Sequence, residues 1–109
     1  MNPYIHAKNN IFLAPLAGIT DKAFRQVAAE QGAGLTYTEM VSAKGLKFHN
    51  RRTFDLLGVS EVEGKAAIQL FGREPDTIAH PAAMLEQVMG EKIALFDINM
   101  GCPAPKIVN

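Results

Sequence analysis

Four short apolar runs, rich in strand-forming residues, recur along the chain with helix-like stretches between them. That alternation constrains the fold more than any other feature. The runs begin near Ile11, Leu35, Ala66 and Ile93, at spacings of roughly 24 to 31 residues, about the span of a βα unit. Successive βα units build a parallel sheet with right-handed crossovers.

Residues 11–14 read as a buried strand halted by Pro15. Thr20 is a suitable N-cap for the next helix, and Asp21 complements its dipole. Asp21 and Arg25 stand in the favourable order for a helical ion pair. Ala23, Phe24, Val27 and Ala28 recur at helical spacing and should face a core, with Gly32 as the stop. A second strand is expected over residues 35–39. Between Val41 and Gly64 the pattern is less regular. Ser42 can cap a short helix to about Phe48, residues 53–57 suit another turn, and Gly58, Glu61, Glu63 and Gly64 suggest an exposed connection. The third strand is Ala66–Phe71, closed by Gly72. A helix from Pro75 to Met89 should kink or restart at Pro81, because proline removes a donor and clashes with the preceding turn. Ile93–Ile98 is the fourth strand.

Composition narrows the classes. A chain of 109 residues, 48% apolar, fits one domain with an ordinary core. Its formal net charge of zero gives no global signature of nucleic-acid binding, although a local basic patch remains open. A single cysteine excludes an internal disulfide framework and any multi-cysteine metal site. His6, His49 and His80 show no ligand spacing, so no metal is expected. The first residues contain no apolar targeting run and no later run is long enough to span a bilayer, so the expectation is a cytoplasmic protein without a membrane partner.

Two architectures fit the alternation: a doubly wound open sheet, or part of an eight-stranded βα barrel. The turn Pro15-Leu16-Ala17-Gly18 lacks the glycine spacing of a dinucleotide fingerprint, which disfavours the first. Polar residues gather at the C-terminal ends of successive strands, namely Glu39, Gln69, Asn99 and Cys102, and a βα barrel builds its active site on that face. Cys102 lies between Gly101, which tolerates unusual backbone angles, and Pro103, which fixes its own φ. It is either an acid or nucleophile held over a pocket or a buried structural thiol. Asn99 can read a heterocycle edge or cap its loop. Gln69, an amide in an apolar strand, needs a partner, either a ligand or neighbouring backbone, since burial unpaired costs about 1–3 kcal/mol. Glu39 invites the same argument more weakly. Lys44, Lys47, His49, Arg51 and Arg52, with Phe48 and Phe54 among them, form the densest basic stretch, suited to RNA backbone or simply to solvent.

With these residues in place, the chain resembles the N-terminal part of the tRNA-dihydrouridine synthases. Four motifs carry the resemblance in order: Ala14-Pro15-Leu16-Ala17-Gly18-Ile19-Thr20-Asp21 with Phe24-Arg25; Glu39-Met40-Val41-Ser42-Ala43-Lys44-Gly45-Leu46; Ile68-Gln69-Leu70-Phe71-Gly72; and Asp97-Ile98-Asn99-Met100-Gly101-Cys102-Pro103 with Lys106 and Val108. The resemblance implies the N-terminal half, about four βα units, of an FMN-binding TIM (β/α)8 barrel with parallel strands. It implies reduction of the C5–C6 bond of particular uridines in tRNA, with NADPH as electron source. Pro15, Leu16 and Ala17 would lie against the flavin, Gln69 would bond its ring edge, and Asn99 would sit between flavin and uracil. Hydride would pass from flavin N5 to uracil C6, and Cys102 would protonate C5 from the opposite face. An ordinary thiol, of pKa about 8.5, keeps its proton at neutral pH yet can release it to a developing enolate. The target base must leave its stack to react, and Lys44, Arg51 and Arg52 would contact the RNA. In the family, later strands carry a lysine and a histidine for the flavin, and a helical C-terminal domain grips the tRNA. Neither lies within these 109 residues, and Asn109 replaces a usual basic residue. The chain alone is therefore expected to be inactive and to associate through exposed strand edges, whereas a full-length form would be monomeric. Alternative readings are another FMN barrel acting on a free pyrimidine, such as a dihydroorotate dehydrogenase, and a silent fragment that only binds a partner.

Overall fold

A computed structural model describes Ile5 and residues 7–102; the expectations for His6, Pro103, Lys106, Val108 and Asn109 lie outside the described residues. The elements run in order as β1 (Phe12–Leu13), α1 (Lys22–Glu30), β2 (Leu35–Thr36), β3 (Val41–Ser42), α2 (Ala43–Lys47), α3 (Arg51–Asp55), β4 (Ala66–Phe71), α4 (Pro75–Met89), a 3-10 turn (Gly90–Lys92) and β5 (Ile93–Ile98).

Every strand pairing is parallel. β1 pairs with β2, and β3, β4 and β5 form a second ladder in that order. A parallel bridge from Tyr37 to Ala67 ties the two ladders together, so the strands lie side by side in chain order. Of the expected second strand, residues 35–39, only β2 and a bridge at Tyr37 form, and β3 is a separate strand beyond it in the stretch expected to be irregular. Thr38 donates its N–H to the Ala67 carbonyl at 3.0 Å, and its hydroxyl accepts the Gln69 N–H at 3.1 Å. Glu39 reaches back across the structure to Gly18.

Alternation along the strands separates two apolar layers. Val41, Ile68, Leu70 and Ile93 pack with Leu46, Leu57 and Leu85 against the helices. Leu35, Ala67 and Ala94 form a smaller cluster, against which Ile5, Ala7, Tyr37 and Leu95 pack. Among the described residues, no helix is long and apolar enough to cross a membrane.

Five local expectations are corrected. Asp21, not Thr20, caps α1: its carboxylate accepts the Phe24 N–H at 2.8 Å. Thr20 is buried, and its hydroxyl bonds the Leu16 backbone instead. α1 does not pack inward on Phe24 and Val27, which stay exposed, and its buried residue is Arg25. Arg25 does not pair with Asp21; its Nε donates to Glu63 Oε1 at 2.9 Å. Glu63 is accordingly buried, not part of an exposed connection, and also accepts from Thr36 and Ser60. Finally, α4 runs without a restart through Pro81, whose ring is buried.

Candidate functional site at the strand C-termini

The first turn is fixed from both sides. Ile19 and Thr20 donate their N–H groups to the Leu16 carbonyl at 3.0 and 2.9 Å, closing a tight loop after Pro15. Gly18 takes a positive φ of 76°, a conformation that favours glycine. Its N–H donates to Glu39 Oε1 at 2.5 Å. Glu39 thus anchors the loop bearing Pro15, Leu16 and Ala17 to the β2–β3 break.

Ser42 ends β3 and caps α2, accepting the Gly45 N–H at 3.0 Å. Helical spacing then turns Ala43 and Leu46 inward and leaves Lys44 and Lys47 exposed. Gly45 lets α3 approach closely, since a Cβ there would meet Thr53 Oγ1 at 2.5 Å. Asn50 caps α3, which presents Arg51 and Arg52 outward. Lys47 Nζ lies 5.9 Å from the centre of the Phe48 ring, and His49 stacks on Phe54.

Gln69 and Asp97 are register partners across β4 and β5, and Asn99 follows Asp97 by one full strand repeat. Their side chains meet on one face. Gln69 Nε2 donates to Asp97 Oδ2 at 2.6 Å, and Asn99 Nδ2 donates to Gln69 Oε1 at 3.3 Å. Asn99 Oδ1 accepts the Gly101 N–H at 3.0 Å, while the Asn99 N–H extends the ladder to the Leu70 carbonyl at 2.9 Å. Gln69 therefore has two side-chain partners, Asp97 and Asn99, in addition to the candidates that its sequence setting offers. Tyr37, near this cluster, has its hydroxyl pKa raised by burial and then by the negative charge of Asp97.

Two adjoining cavities open beside these groups, sharing Ser42 and Phe71 as walls. One, of about 450 Å³, brings Cys102 together with Ala17, Gly18, Glu39, Met40 and Arg52. Cys102 is half-buried there and carries a free thiol, so it is not a core cysteine. The other, of about 520 Å³, is lined by Lys44, Lys47, Phe48, Arg73 and Asn99 among others. Both volumes lie in the range of small-molecule sites. Of the expected residues, Ala17, Cys102 and Arg52 share the first cavity, and Lys44 and Asn99 share the second. Pro15, Leu16, Gln69 and Arg51 line neither. Arg73 and Asp97 were not foreseen. Arg73 follows β4 after Gly72, where active-site-face residues are expected, so its position alone could have marked it. Among the described residues, no group of three or more histidine, cysteine or acidic side chains is placed to hold a metal.

The family model for dihydrouridine synthase matches residues 12–109. The chain is 44% identical over 100 residues to tRNA-dihydrouridine synthase B of Pasteurella multocida, covering 92% of this chain and 29% of that protein. It is 40% identical over 106 residues to a probable tRNA-dihydrouridine synthase of Rickettsia bellii, covering 96% of this chain and 32% of the relative. A probable tRNA-dihydrouridine synthase of Treponema pallidum is 42% identical over 100 residues, covering 92% of this chain and 29% of its own length. The chain thus spans under a third of the length of these relatives. Matched along nearly all of its length by the family model, the chain belongs to the dihydrouridine synthase family.

Proposed function

We propose that these 109 residues form the cysteine-bearing wall of an FMN-dependent, NADPH-driven enzyme that reduces uridines in tRNA. Within it they would be the first βα units of a TIM barrel, completed by a second half-barrel and a helical tRNA-binding domain. The observation that carries this reading is the cavity where half-buried Cys102 meets the Ala17–Gly18 turn, beside a second cavity lined by cations and an exposed aromatic ring. Side-by-side parallel strands in chain order support the barrel.

The residues present fit a flavin ring. The turn at Pro15, Leu16 and Ala17 offers backbone for a flat aromatic surface, and a Cβ at Gly18 would meet nothing within 4 Å. Each side-chain amide has two donor hydrogens and two acceptor lone pairs. Gln69 spends one of each on Asp97 and Asn99, which leaves one donor and one acceptor for a heterocycle edge. FMN, when bound, supplies the hydride that reduces the C5–C6 bond, and NADPH supplies its electrons. Cys102 donates the proton that completes the addition at C5. Lys44, Arg51 and Arg52 are proposed to neutralise phosphates, joined by Lys47 and Arg73, while Phe48 offers a stacking surface for a base. A tRNA substrate fits a cytoplasmic site of action.

The test is a chain extended by the two thirds of a relative that it does not match, assayed on unmodified tRNA and on free pyrimidines. Dihydrouridine should form in tRNA only. Cys102→Ala should lower turnover by about 10²–10⁴-fold while flavin stays bound. Full activity in that variant, or reduction of free pyrimidine alone, would overturn the reading.

A further inference from the structure

The side chains at the ends of β4 and β5 form a hydrogen-bond series with a single direction. Its origin is a carboxylate, which only accepts when ionised. Asp97 Oδ2 lies 2.6 Å from Gln69 Nε2, so the amide must turn its NH2 group toward Asp97 and its carbonyl away. That carbonyl faces Asn99 Nδ2 at 3.3 Å, which in turn obliges Asn99 to present its own carbonyl to the loop. There it accepts the Gly101 N–H at 3.0 Å, one residue before Cys102. An isolated amide has two nearly isosteric orientations; two amides in series behind a carboxylate have one. Reversing either would set NH2 against NH2, or NH2 against the Gly101 N–H.

We propose that Asp97 is a positioning residue: it fixes the orientation of Gln69 and Asn99 and through them seats the loop that carries Cys102. The register places it for this role, since Asp97 is the cross-strand partner of Gln69 and shares a strand face with Asn99. Its relevance to catalysis rests on the proposed uridine reduction, but the geometric claim does not.

The experiment therefore reads geometry in the 109-residue chain, without flavin or RNA. Asp97→Leu removes the acceptor, and Asp97→Asn retains an acceptor oxygen of the same shape. Amide exchange at Gly101, the NMR signals of the Gln69 and Asn99 side-chain amides, and the alkylation rate of the sole cysteine are measured in each. In Asp97→Leu, Gly101 exchange should accelerate about five- to tenfold, the equilibrium worth of one net hydrogen bond. Both side-chain amide signals should move, and the alkylation rate should change. Asp97→Asn should restore all three toward wild type. Wild-type behaviour of Asp97→Leu overturns the proposal, as does an Asp97→Asn variant no better than Asp97→Leu. Should Asp97→Leu not fold, Gln69→Met cuts the series at its next link and must give the same change at Gly101; an unchanged Gly101 overturns the proposal. Failure of the extended wild-type enzyme to reduce tRNA, with the Asp97→Leu changes appearing as expected, would fault the functional reading alone.

Discussion

Arg25 and Glu63 show how this chain places charge in its interior. The two side chains are 1% and 0% exposed, and their ion pair is 2.9 Å long. Taking charges out of water is tolerable only when every remaining hydrogen-bonding site is filled. Here Arg25 also donates to the Thr20 carbonyl at 2.8 Å and to the Gly58 carbonyl, while Glu63 accepts from Thr36, from the Ser60 hydroxyl and from the Ser60 N–H. Burial by itself would push the Glu63 carboxyl up. The bonds from the Ser60 backbone, the Thr36 and Ser60 hydroxyls and Arg25 together outweigh it and hold the pKa below the ordinary value. A lowered folded pKa means stability present in full above the unfolded value, about 4.3, and lost as pH falls through the folded one. Urea melts of Glu63→Gln should show a loss of about 3–5 kcal/mol at neutral pH, because Arg25 is left buried without its counter-charge. The acid-side decline should be shallower in the variant than in wild type. Equal acid slopes would remove Glu63 as its source.

At the scale of elements, what the sequence discloses depends on whether the deciding contacts are local. Ala66–Phe71, Pro75–Met89 and Ile93–Ile98 were legible to their ends, because apolar runs and flanking glycines and prolines decide them. The break between β2 and β3 was not, since it follows from Thr38 and Glu39 finding partners 31 and 21 residues away. The same holds at the site. Cys102, Asn99 and Gln69 announce themselves by residue type in their setting, whereas Asp97 emerges only once strand register sets it opposite Gln69. α4 shows a local rule overruled. Pro81 lies beyond the first turn, is buried, and still leaves the helix uninterrupted. An interior proline costs about 3 kcal/mol relative to alanine. Truncating it to alanine removes two buried methylene groups, worth about 1.6 kcal/mol. Pro81→Ala should therefore stabilise the chain by about 1 kcal/mol and raise the thermal midpoint by several degrees, read by circular dichroism. A lower midpoint would mean that the ring fills space nothing else can.

The whole molecule is a sheet with two unpartnered margins among the described residues. β1 pairs only with β2, and β5 only with β4. Apolar side chains are exposed at both: Ile11 at 72% and Phe12 at 40% at the first, Ile98 at 49% at the second, with Val27 of α1 at 58% and Val88 of α4 at 77% exposed on the helices. Scattered exposed apolar residues need no explanation, but rows of them beside open strand edges invite association. In a closed barrel, neighbouring βα units would cover both margins. Without such neighbours, two copies of the chain can cover each other. Sedimentation velocity of the 109-residue chain should therefore show mass-dependent association across a concentration series. Val27→Glu and Val88→Glu place a charge at exposed helical positions, where folding is little affected, and each should shift the chain toward monomer. A larger effect of Val27→Glu would assign the contact to the α1 face, and of Val88→Glu to the α4 face. A dispersed wild-type monomer at every concentration would show that neither margin is sticky enough to matter. The same preparation should carry less than stoichiometric flavin, because one wall of the proposed site cannot enclose the ring; stoichiometric yellow protein would show that this wall suffices.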